Sequence, residues 1–488
     1  MNPLDENPSP VPATEPSSPR PLVVDLDGTL LRGDTLHEVV FSTLFSNPFK
    51  LVQAGFALLS GGKGRFKAVL SPSFAGDAAS LPARQEVVDL AVQRKEQGGK
   101  VILATGANRS IAQAAAERFG FFDEVLATDG DDGNFVGSRK RDMLVGLHGA
   151  GGYDYVGDSL TDLPVWESAA EAYAVGSVAR KGLRAGDKAV QALAPVEKPP
   201  RKWKVIRPHQ WVKNFLLFLP LLSAHRLFET SSIFLAMLGF AAFSCAASLV
   251  YVVNDLADRA SDRVHATKRR RPIAWGAVGP LHALAIAAIL VVVLAGICIW
   301  IPWQATVAIG VYLVANLAYS FHFKRRLLVD VFLLAWMYVW RVVTGGLVTG
   351  ITLTPWLLGF SGFTFLSLAF AKRYAEVVRL QGRKQGAAKG RAWRLDDAIP
   401  LLAAGIGCGV GGALVLALYV SGDSFASLYK NPTLAMLLSP LFLYWNLRLW
   451  IQAGRQELHE DPVVFAMKDK ISYAVLGAAV AILGLAMI

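Results

Sequence analysis

Residues 254–262 read Asn-Asp-Leu-Ala-Asp-Arg-Ala-Ser-Asp and close a long apolar run that begins near residue 233. At about 100° per residue, a helix would place Asp255, Asp258 and Asp262 within roughly 60° of one another. Such a cluster of anions is unfavourable at membrane depth, but Mg²⁺ can bridge it to a diphosphate. A solvated acidic helix end is the alternative interpretation. The stretch therefore predicts a diphosphate site in a membrane protein, and these basic residues follow it: Arg263, Lys268, Arg269, Arg270 and Arg271.

Composition divides the chain into two halves. Its 488 residues are 53% hydrophobic, which fits an integral membrane protein, yet the first 200 residues lack that character. Up to residue 200 there are 20 Lys and Arg against 25 Asp and Glu, a balance of −5, whereas the remainder has 29 against 13, or +16. The basic excess thus belongs to the membrane half, where cytoplasmic loops and phosphate contacts explain it, and nucleic acid is a poor explanation for it.

The soluble half has the alternating pattern of an α/β domain. Short β-rich runs at 22–26, 101–103 and 153–156 are separated by helical stretches such as 84–97 and 110–119. This order predicts a Rossmann-like parallel sheet whose active residues lie at the carboxyl ends of its strands.

The domain boundaries follow from local composition. Residues 1–20 are polar and rich in proline, and lack the apolar core of a signal peptide, so we expect a disordered cytosolic tail. The α/β domain is assigned to 21–193, and a proline-rich linker to 194–203. Residues 204–488 then form the membrane domain.

Nine apolar segments in this domain predict an all-α bundle of nine transmembrane helices, because most are near the roughly 20 residues that a crossing needs. Basic residues concentrate in the loops after the second, fourth and sixth segments. By the positive-inside rule, the N-terminal domain is expected to be cytoplasmic, on a bacterial-type inner membrane, with the C-terminus outside. The segments are 212–224, 232–253, 279–300, 304–321, 328–349, 354–371, 398–420, 432–451 and 471–488.

Acidic residues follow two of the strands predicted for the soluble domain. Residues 25–30 read Asp-Leu-Asp-Gly-Thr-Leu, and 157–162 read Gly-Asp-Ser-Leu-Thr-Asp. Of two carboxylates that straddle a strand end, one can attack phosphorus while the other shuttles a proton. Thr105 ends the remaining strand, and Lys140 lies in a basic cluster between these motifs. A lone Asp-x-Asp is usually a turn, but all four features in this order predict phosphoryl transfer.

This set resembles the haloacid dehalogenase-like phosphatase superfamily over roughly residues 20–190, with residues 34–80 as a small helical cap. The resemblance implies that Asp25 is the nucleophile and Asp27 the general acid/base. Thr105 and Lys140 would hold the phosphoryl group, with Lys140 chosen from three consecutive basic residues. The implied Mg²⁺ ligands are Asp25, Asp27, Asp158 and Asp162.

Several ionisable residues lie in or beside the apolar segments. Lys213 is the second-last residue of the motif Arg-Pro-His-Gln-Trp-Val-Lys-Asn at 207–214. Lys324 follows the fourth apolar segment. Asp330 starts the fifth, and Arg341 falls about 20° away from it on the same helical face. An ionisable residue within a span is a functional candidate by default. The alternatives are interfacial snorkelling for the two lysines and a structural ion pair for Arg341.

The membrane domain resembles the UbiA superfamily of intramembrane prenyltransferases over about residues 201–488. The first Asp-rich motif of that family is complete, as N-D-x-x-D-x-x-x-D. The second departs from the aromatic-acceptor enzymes, since Y-S-x-x-x-K-x-x-x-x-x-D supplies only Lys324 and Asp330. Together with K-R-Y-A-E from Lys372 and D-P-V-V-F-A-M-K-D at 461–469, this form is similar to the decaprenyl-phosphate phosphoribosyltransferase branch.

That resemblance implies a reaction between phosphoribosyl diphosphate and a polyprenyl phosphate in the membrane, with Mg²⁺ as cofactor. Asp255 and Asp258 are the implied catalytic residues, and Asp262 completes the Mg²⁺ ligands. The tethered phosphatase would then remove the 5-phosphate from the lipid product. The implied substrate-binding residues are Lys213, Asn254, Lys324, Asp330, Arg341 and Lys372.

Two other functions remain open at this point. One is transfer of a prenyl group from prenyl diphosphate to an aromatic acceptor, against which the missing second Asp pair speaks. The other is a transporter with a regulatory cytosolic domain, which needs no ordered Mg²⁺-binding carboxylates at two independent sites.

Overall fold

The computed structural model describes residues 19–70, 81–128, 135–381, 392–422, 425, 429–458 and 461–488. These residues form two compact units. The first contains the chain up to Val205 together with Asp255–Ala285, and the second contains Ile206–Asn254 and Ile286–Ile488. The first unit therefore includes the loop that carries the Asp-rich motif. The predicted tail lies almost entirely outside the described residues.

A parallel sheet forms the centre of the first unit. Its strands and a small antiparallel pair are β1 (Leu22–Val24), β2 (Val101–Asn108), β3 (Glu124–Thr128), β4 (Asp154–Gly157), β5 (Ala172–Ala174), β6 (Arg184–Ala185), β7 (Lys188–Ala189) and β8 (Gln191–Ala192). Six strands are arranged in the order β3-β2-β1-β4-β5-β8, and every pairing among them is parallel. The predicted parallel α/β sheet is confirmed.

Strand β1 lies inside the sheet, between β2 and β4. Its three apolar residues are buried because helices cover both faces of a parallel sheet. Leu22 and Val24 belong to one hydrophobic core and Val23 to the other. Val24 is paired with Leu103 on one side and Val156 on the other. This register brings the carboxyl ends of β1, β2 and β4 to one edge.

Among the residues described for this unit, six helices accompany the sheet: α1 (Thr35–Ser46), α2 (Pro48–Leu70), α3 (Gln85–Glu96), α4 (Arg109–Phe119), α5 (Ser138–His148) and α6 (Leu163–Ser168). Helix α1 begins after Asp34, whose side chain caps it by accepting hydrogen bonds from the backbone N–H groups of Leu36 and His37. Helices α1 and α2 occupy the part of the chain predicted as a cap, and the last ten residues of that prediction lie outside the described part.

The remaining helices, in chain order, are α7 (Leu219–Ser223), α8 (Thr230–Ala257), α9 (Arg259–Arg263), α10 (Pro280–Cys298), α11 (Trp303–Phe321), α12 (Val329–Thr349), α13 (Pro355–Gln381), α14 (Ala398–Val420), α15 (Pro432–Ala435), α16 (Leu438–Gly454), α17 (Pro462–Ala466) and α18 (Lys470–Met487). Within the described residues, seven helical stretches are long and apolar enough to cross a membrane. They correspond to seven of the nine predicted segments. The chain is an integral membrane protein.

The other two predicted segments differ from that description. Segment 354–371 is part of the 27-residue helix α13, which also carries Lys372 and the buried Arg373. Segment 212–224 is not one continuous α-helix, because a 3₁₀ helix over Pro208–Phe218 gives way to the short α7. Pro220 stands at the start of α7, where its missing N–H costs no hydrogen bond.

The 3₁₀ helix lies unusually close to α12. A Cβ atom on Gly345 would stand 2.2 Å from the carbonyl oxygen of Leu217, so only glycine permits this approach. Two further contacts join the 3₁₀ helix to α8: Trp211 donates a 2.9 Å hydrogen bond to Ser248, and Asn214 donates one of the same length to Ser244. The motif at 207–214 is thereby fixed against the bundle.

Candidate active sites

The first candidate site lies at the carboxyl edge of the sheet. Asp25 follows β1, and its Oδ1 lies 2.8 Å from the Nζ of Lys140 on α5. Both residues are buried, and Lys140 also donates a 3.0 Å hydrogen bond to the hydroxyl of Tyr155. The neighbouring Arg141 instead pairs with Asp142 at the surface. The structure thus brings the middle one of three basic residues to the predicted nucleophile.

A second carboxylate approaches Asp25 from β4. The hydroxyl of Thr29 lies 3.3 Å from Oδ2 of Asp25 and 3.4 Å from Oδ1 of Asp158. Gly28 has a φ of +73°, and a Cβ there would stand 2.2 Å from Oδ2 of Asp158. Burial, together with the charges of Asp25 and Asp162, raises the pKa of Asp158 to about 7. A cation beside these carboxylates would relieve their repulsion.

The start of α1 holds Asp27. Its Oδ1 accepts a 2.8 Å hydrogen bond from the backbone N–H of Thr35. Burial and then the charge of Asp34 raise the pKa of Asp27 to about 7. A carboxyl group with a pKa near neutrality is suited to both accepting and donating a proton.

Asp162 and Thr105 lie at the same edge of the sheet, but their side chains form hydrogen bonds with neighbouring groups of the protein. Asp162 accepts hydrogen bonds from the hydroxyl of Tyr155 at 2.9 Å and from the backbone N–H of Asp158 at 3.3 Å. Thr105 is buried in β2 and accepts a 3.0 Å hydrogen bond from the backbone N–H of Ala107. Asp162 therefore orients the loop that carries Asp158, and its role as a metal ligand stays a prediction.

Within the described residues, no group of three or more His, Cys, Asp or Glu side chains is placed to hold a metal ion. The pair formed by Asp25 and Asp158 nevertheless offers the oxygen ligands that a hard divalent cation prefers, and the charge of Asp25 helps to raise the pKa of Asp158.

Sequence reasoning missed two residues of this site. Tyr155 links Lys140 to Asp162, and its position in a buried strand was a signal, because a buried hydroxyl needs a hydrogen-bond partner. Arg84 donates a 2.8 Å hydrogen bond to the carbonyl oxygen of Gly28, and nothing in the local sequence indicated it.

The Asp-rich motif is held by an arginine. Nη1 of Arg271 lies 3.1 Å from Oδ1 of Asp255 and 2.6 Å from Oδ2 of Asp262, and both aspartates are buried. The three aspartates do not lie on one continuous helix, because α8 ends at Ala257 and Asp258 separates it from α9 with a ψ of 1°. A guanidinium bridging two buried carboxylates shows that both face one position where a cation fits.

In the second unit, two lysines share one carboxylate. Oδ2 of Asp461 lies 2.9 Å from Nζ of Lys213 and 2.8 Å from Nζ of Lys372. Oδ1 of the same residue accepts a 2.7 Å hydrogen bond from the hydroxyl of Tyr338. We call Lys213, Lys372 and Asp461 the lysine pair site. It carries one positive charge in excess.

Arg341 adds to that excess. Its guanidinium donates hydrogen bonds to the side-chain oxygen of Asn214 at 3.1 Å and to the hydroxyl of Tyr312 at 3.0 Å. Cζ of Arg341 and Nζ of Lys213 each lie 5.5 Å from the ring centre of Tyr338. The hydrogen-bond acceptors found for Arg341 among the described residues are all uncharged, which favours a functional role over a structural ion pair.

Asp330 has partners of its own. It is fully buried at the start of α12, and its Oδ2 lies 2.8 Å from Nε of Arg373. The indole N–H of Trp393 also donates to it, at 3.0 Å. Arg373 continues to the hydroxyl of Tyr319 at 2.7 Å and to Glu376 at 2.6 Å. These contacts stabilise the junction of α11, α12 and α13, and substrate binding by Asp330 stays a prediction.

Of the two remaining candidates, Asn254 lies in the last turn of α8 and Lys324 follows α11. Asn254 donates a 2.9 Å hydrogen bond to the hydroxyl of Ser320, and Lys324 lies partly buried in a 3₁₀ turn, Phe323–Arg325. Asp461 was not chosen from the sequence as a site residue, although the motif at 461–469 begins with it. A carboxylate next to an apolar segment was the available signal.

Comparison with known proteins gives two matches along the chain. Residues 215–468 match the UbiA prenyltransferase family, and residues 22–167 match the haloacid dehalogenase-like hydrolases. A protein of Sinorhizobium fredii, uncharacterized protein y4nM, is 34% identical over 469 residues, which cover 94% of this chain and 90% of that protein.

Two further relatives match parts of the chain. The nodulation protein NoeC of Azorhizobium caulinodans is 32% identical over 284 residues, or 58% of this chain and 89% of NoeC. Decaprenyl-phosphate phosphoribosyltransferase of Mycobacterium tuberculosis is 40% identical over 179 residues, or 36% of this chain and 59% of that enzyme. The last similarity thus spans about three fifths of the transferase.

Proposed function

Because the chain belongs to the UbiA prenyltransferase family and carries a haloacid dehalogenase-like hydrolase domain, we propose that it makes and then dephosphorylates a ribosylated lipid. The membrane domain transfers 5-phosphoribose from phosphoribosyl diphosphate to a polyprenyl phosphate and releases diphosphate. The hydrolase domain removes the 5-phosphate and leaves polyprenyl-phosphoryl ribose. Similarity to decaprenyl-phosphate phosphoribosyltransferase supports this choice of substrates.

The observation that carries the proposal is the excess positive charge of the lysine pair site, where Lys213 is buried and Lys372 is partly buried. Lys213 and Lys372 face a single carboxylate, and Arg341 lies against the same tyrosine ring as Lys213. An uncompensated cation is costly in a buried site, so this arrangement favours an anionic ligand. A sugar phosphate or a lipid phosphate supplies that charge.

In the transfer step, the bond between C1 of ribose and the diphosphate breaks while a phosphate oxygen of the lipid forms a new bond to C1. Mg²⁺, when bound by Asp255, Asp258 and Asp262, would neutralise the diphosphate that leaves. Lys213, Lys372 and Arg341 hold the reacting phosphates in place by charge-assisted hydrogen bonds. No protein nucleophile is needed.

In the hydrolase step, Asp25 attacks the phosphorus of the 5-phosphate and forms an aspartyl-phosphate. Asp27 gives a proton to the departing 5-oxygen and then takes one from the water that hydrolyses the intermediate. Lys140, held against Asp25, faces the charge of the phosphoryl oxygens. Mg²⁺, when bound between Asp25 and Asp158, would reduce the repulsion between carboxylate and phosphate.

Location supports a sequence of two reactions. We place the protein in a bacterial inner membrane with the hydrolase domain on the cytoplasmic side, where the basic loops are expected to lie. Tethering raises the effective concentration of the second site for the product of the first. A lipid-linked pentose for cell-envelope synthesis would result.

The test is direct. Purified full-length protein is incubated with Mg²⁺, phosphoribosyl diphosphate labelled in the ribose, and polyprenyl phosphate, and the label in the lipid fraction is followed with the release of diphosphate and inorganic phosphate. We expect lipid-bound label only when both substrates are present. Diphosphate release without lipid-bound label would contradict the proposal.

A further inference from the structure

Helix α1 of the hydrolase domain contacts the loop that carries the Asp-rich motif, and both belong to the first compact unit. Glu38 on α1 is 2% exposed. Its Oε1 lies 2.7 Å from Nε of Arg259, and its Oε2 lies 3.0 Å from Nη2 of Arg263. One buried carboxylate thus holds two arginines that are more than 220 positions away in the sequence.

Two further residues of α1, Ser42 and Phe41, also contact Arg259. The hydroxyl of Ser42 accepts a 2.9 Å hydrogen bond from Nη2 of Arg259. The ring of Phe41 lies under the guanidinium, with its centre 4.5 Å from Cζ. Arg259 therefore has an ionic, a hydrogen-bonded and an aromatic contact with the same helix, which fixes its orientation.

A second contact joins the loop to the residues just before α1. The guanidinium of Arg32 lies 3.8 Å from the ring centre of Trp275. Gly276 has a φ of +83°, and a Cβ there would stand 2.7 Å from the carbonyl oxygen of Arg32. This close approach requires glycine, so the local sequence of the loop fits this contact.

The two arginines held by Glu38 stand beside the predicted diphosphate site. Arg259 directly follows Asp258, and Arg263 directly follows Asp262. On α9, Arg259 and Arg263 lie four residues apart on one face, and Arg259 stands three residues before Asp262, a spacing at which side chains meet on a helix surface. Without Glu38, the guanidinium of Arg259 would be free to pair with Asp262, and the uncompensated charge of Arg263 beside it would also disfavour a divalent cation.

The first residue of the same helix supports the hydrolase site. Thr35, the first residue of α1, donates its backbone N–H to Asp27. A single 12-residue helix thus touches the acid/base residue of one site and the arginines of the other.

From these contacts we propose that α1 is a docking element that holds the Asp-rich loop in its Mg²⁺-binding form, with Glu38 as a positioning residue for the transferase. The hydrolase domain is then a structural part of the transferase as well as a second enzyme. The role assigned to the loop rests on the proposed function, whereas the docking of α1 on the loop does not.

The experiment compares Glu38→Gln with the parent protein in two measurements on the full chain. Amide hydrogen exchange of the peptides covering 256–264 should become faster in the variant. The Mg²⁺ concentration for half-maximal lipid ribosylation should rise about tenfold, with the rate at saturating Mg²⁺ largely kept, because partners that orient metal ligands contribute about 10- to 100-fold to metal affinity. Hydrolysis of p-nitrophenyl phosphate should stay unchanged and reports that the sheet domain is folded.

Glu197→Gln is the matched control, since Glu197 also faces an arginine of this loop, Arg269, but at 3.4 Å and near the surface. It should leave both measurements unchanged, as expected for an exposed pair. A second variant, Glu38→Gln with Arg263→Gln, restores the local charge balance and should return the Mg²⁺ requirement towards that of the parent. A merely structural defect would not be repaired in this way.

Each outcome decides one part of the proposal. Unchanged exchange at 256–264 in Glu38→Gln would overturn the docking, and faster exchange with an unchanged Mg²⁺ requirement would overturn the positioning role. If the parent protein transfers no ribose, the proposed function fails, and hydrogen exchange alone decides whether α1 docks on the loop.

Discussion

Nζ of Lys140 lies 2.8 Å from Oδ1 of Asp25, although 115 positions separate the two residues. The ion pair places a positive charge where the phosphoryl oxygens would meet the attacking carboxylate. Lys140→Met should therefore slow hydrolysis of p-nitrophenyl phosphate by about 10²-fold or more, as loss of one charge-stabilising group does in other enzymes.

Adjacent basic residues provide the control for that variant. Arg139 is exposed and Arg141 pairs with Asp142 at the surface, so Arg139→Met and Arg141→Met should keep nearly the parental rate. An equal loss in all three variants would mean that the basic cluster acts through general charge, without a specific role for Lys140.

Much of the hydrolase site could be predicted from the sequence, because strand-end motifs are local signals. Asp25 and Asp158 follow strands that the alternation of strands and helices assigns to one parallel sheet, whose carboxyl ends lie at one edge. Tyr155 and Arg84 were missed because their contacts depend on how distant segments pack. Nothing in the sequence near Arg84 states that it reaches the carbonyl oxygen of Gly28.

In the membrane domain, the pattern of apolar segments predicted the long helices well but not their local breaks. Pro220 lies at a change from 3₁₀ to α-helix, and Asp258 lies at a break that interrupts the predicted helical face. Lys213 and Asp461 are separated by most of the sequence of the domain, so local periodicity could not predict their ion pair. Arg271 was one of five basic residues that a charge count cannot distinguish.

The lysine pair site yields a prediction about substrate affinity. Lys213→Gln and Lys372→Gln each remove a charge that faces Asp461, so each should raise the KM for one phosphorylated substrate about tenfold, while kcat changes less. Steady-state kinetics with phosphoribosyl diphosphate and lipid phosphate varied separately will show which phosphate each lysine binds.

Arg448→Gln serves as the control, because Arg448 and Asp469 form another ion pair of the same unit, at 2.7 Å. Its KM values should match those of the parent. If Lys213→Gln and Lys372→Gln also leave both KM values unchanged, the lysines do not bind substrate phosphate.

If the Asp-rich motif serves only the transferase, substitutions in it should abolish ribosyl transfer and leave phosphate hydrolysis intact. Asp255→Asn and Asp258→Asn each remove a predicted metal ligand with little change in volume, so both should abolish lipid ribosylation. Hydrolysis of p-nitrophenyl phosphate should continue, because Asp25, Asp27 and Lys140 are untouched. Near-normal lipid product from both variants would rule out the diphosphate site proposed for this loop.

The choice of donor follows from the second polar motif. The carboxylate of Asp330 pairs with Arg373 and accepts a hydrogen bond from Trp393. The motif also contains no second aspartate beside it, which argues against the two Asp-rich regions that prenyl transfer uses. Membranes containing the protein should use phosphoribosyl diphosphate and not a prenyl diphosphate when both are compared under one set of conditions. Efficient prenylation of an aromatic acid, with no ribosyl transfer, would favour the other enzyme.

The two active sites should act in sequence on one lipid. Asparagine is a poor nucleophile, so Asp25→Asn should block removal of the 5-phosphate while ribosyl transfer continues. The variant should accumulate polyprenyl-phosphoryl 5-phosphoribose, whereas the parent protein should release about one inorganic phosphate for each lipid ribosylated, as expected if tethering supplies product to the hydrolase domain. Mass spectrometry of the lipid fraction measures both species.

Asp142→Asn is a matched control, because Asp142 lies at the surface and pairs only with its neighbour Arg141 in the contacts found among the described residues. If the parent and Asp25→Asn leave the same fraction of lipid phosphorylated, the hydrolase domain acts on another substrate, and the fusion must be explained by the docking of α1 alone.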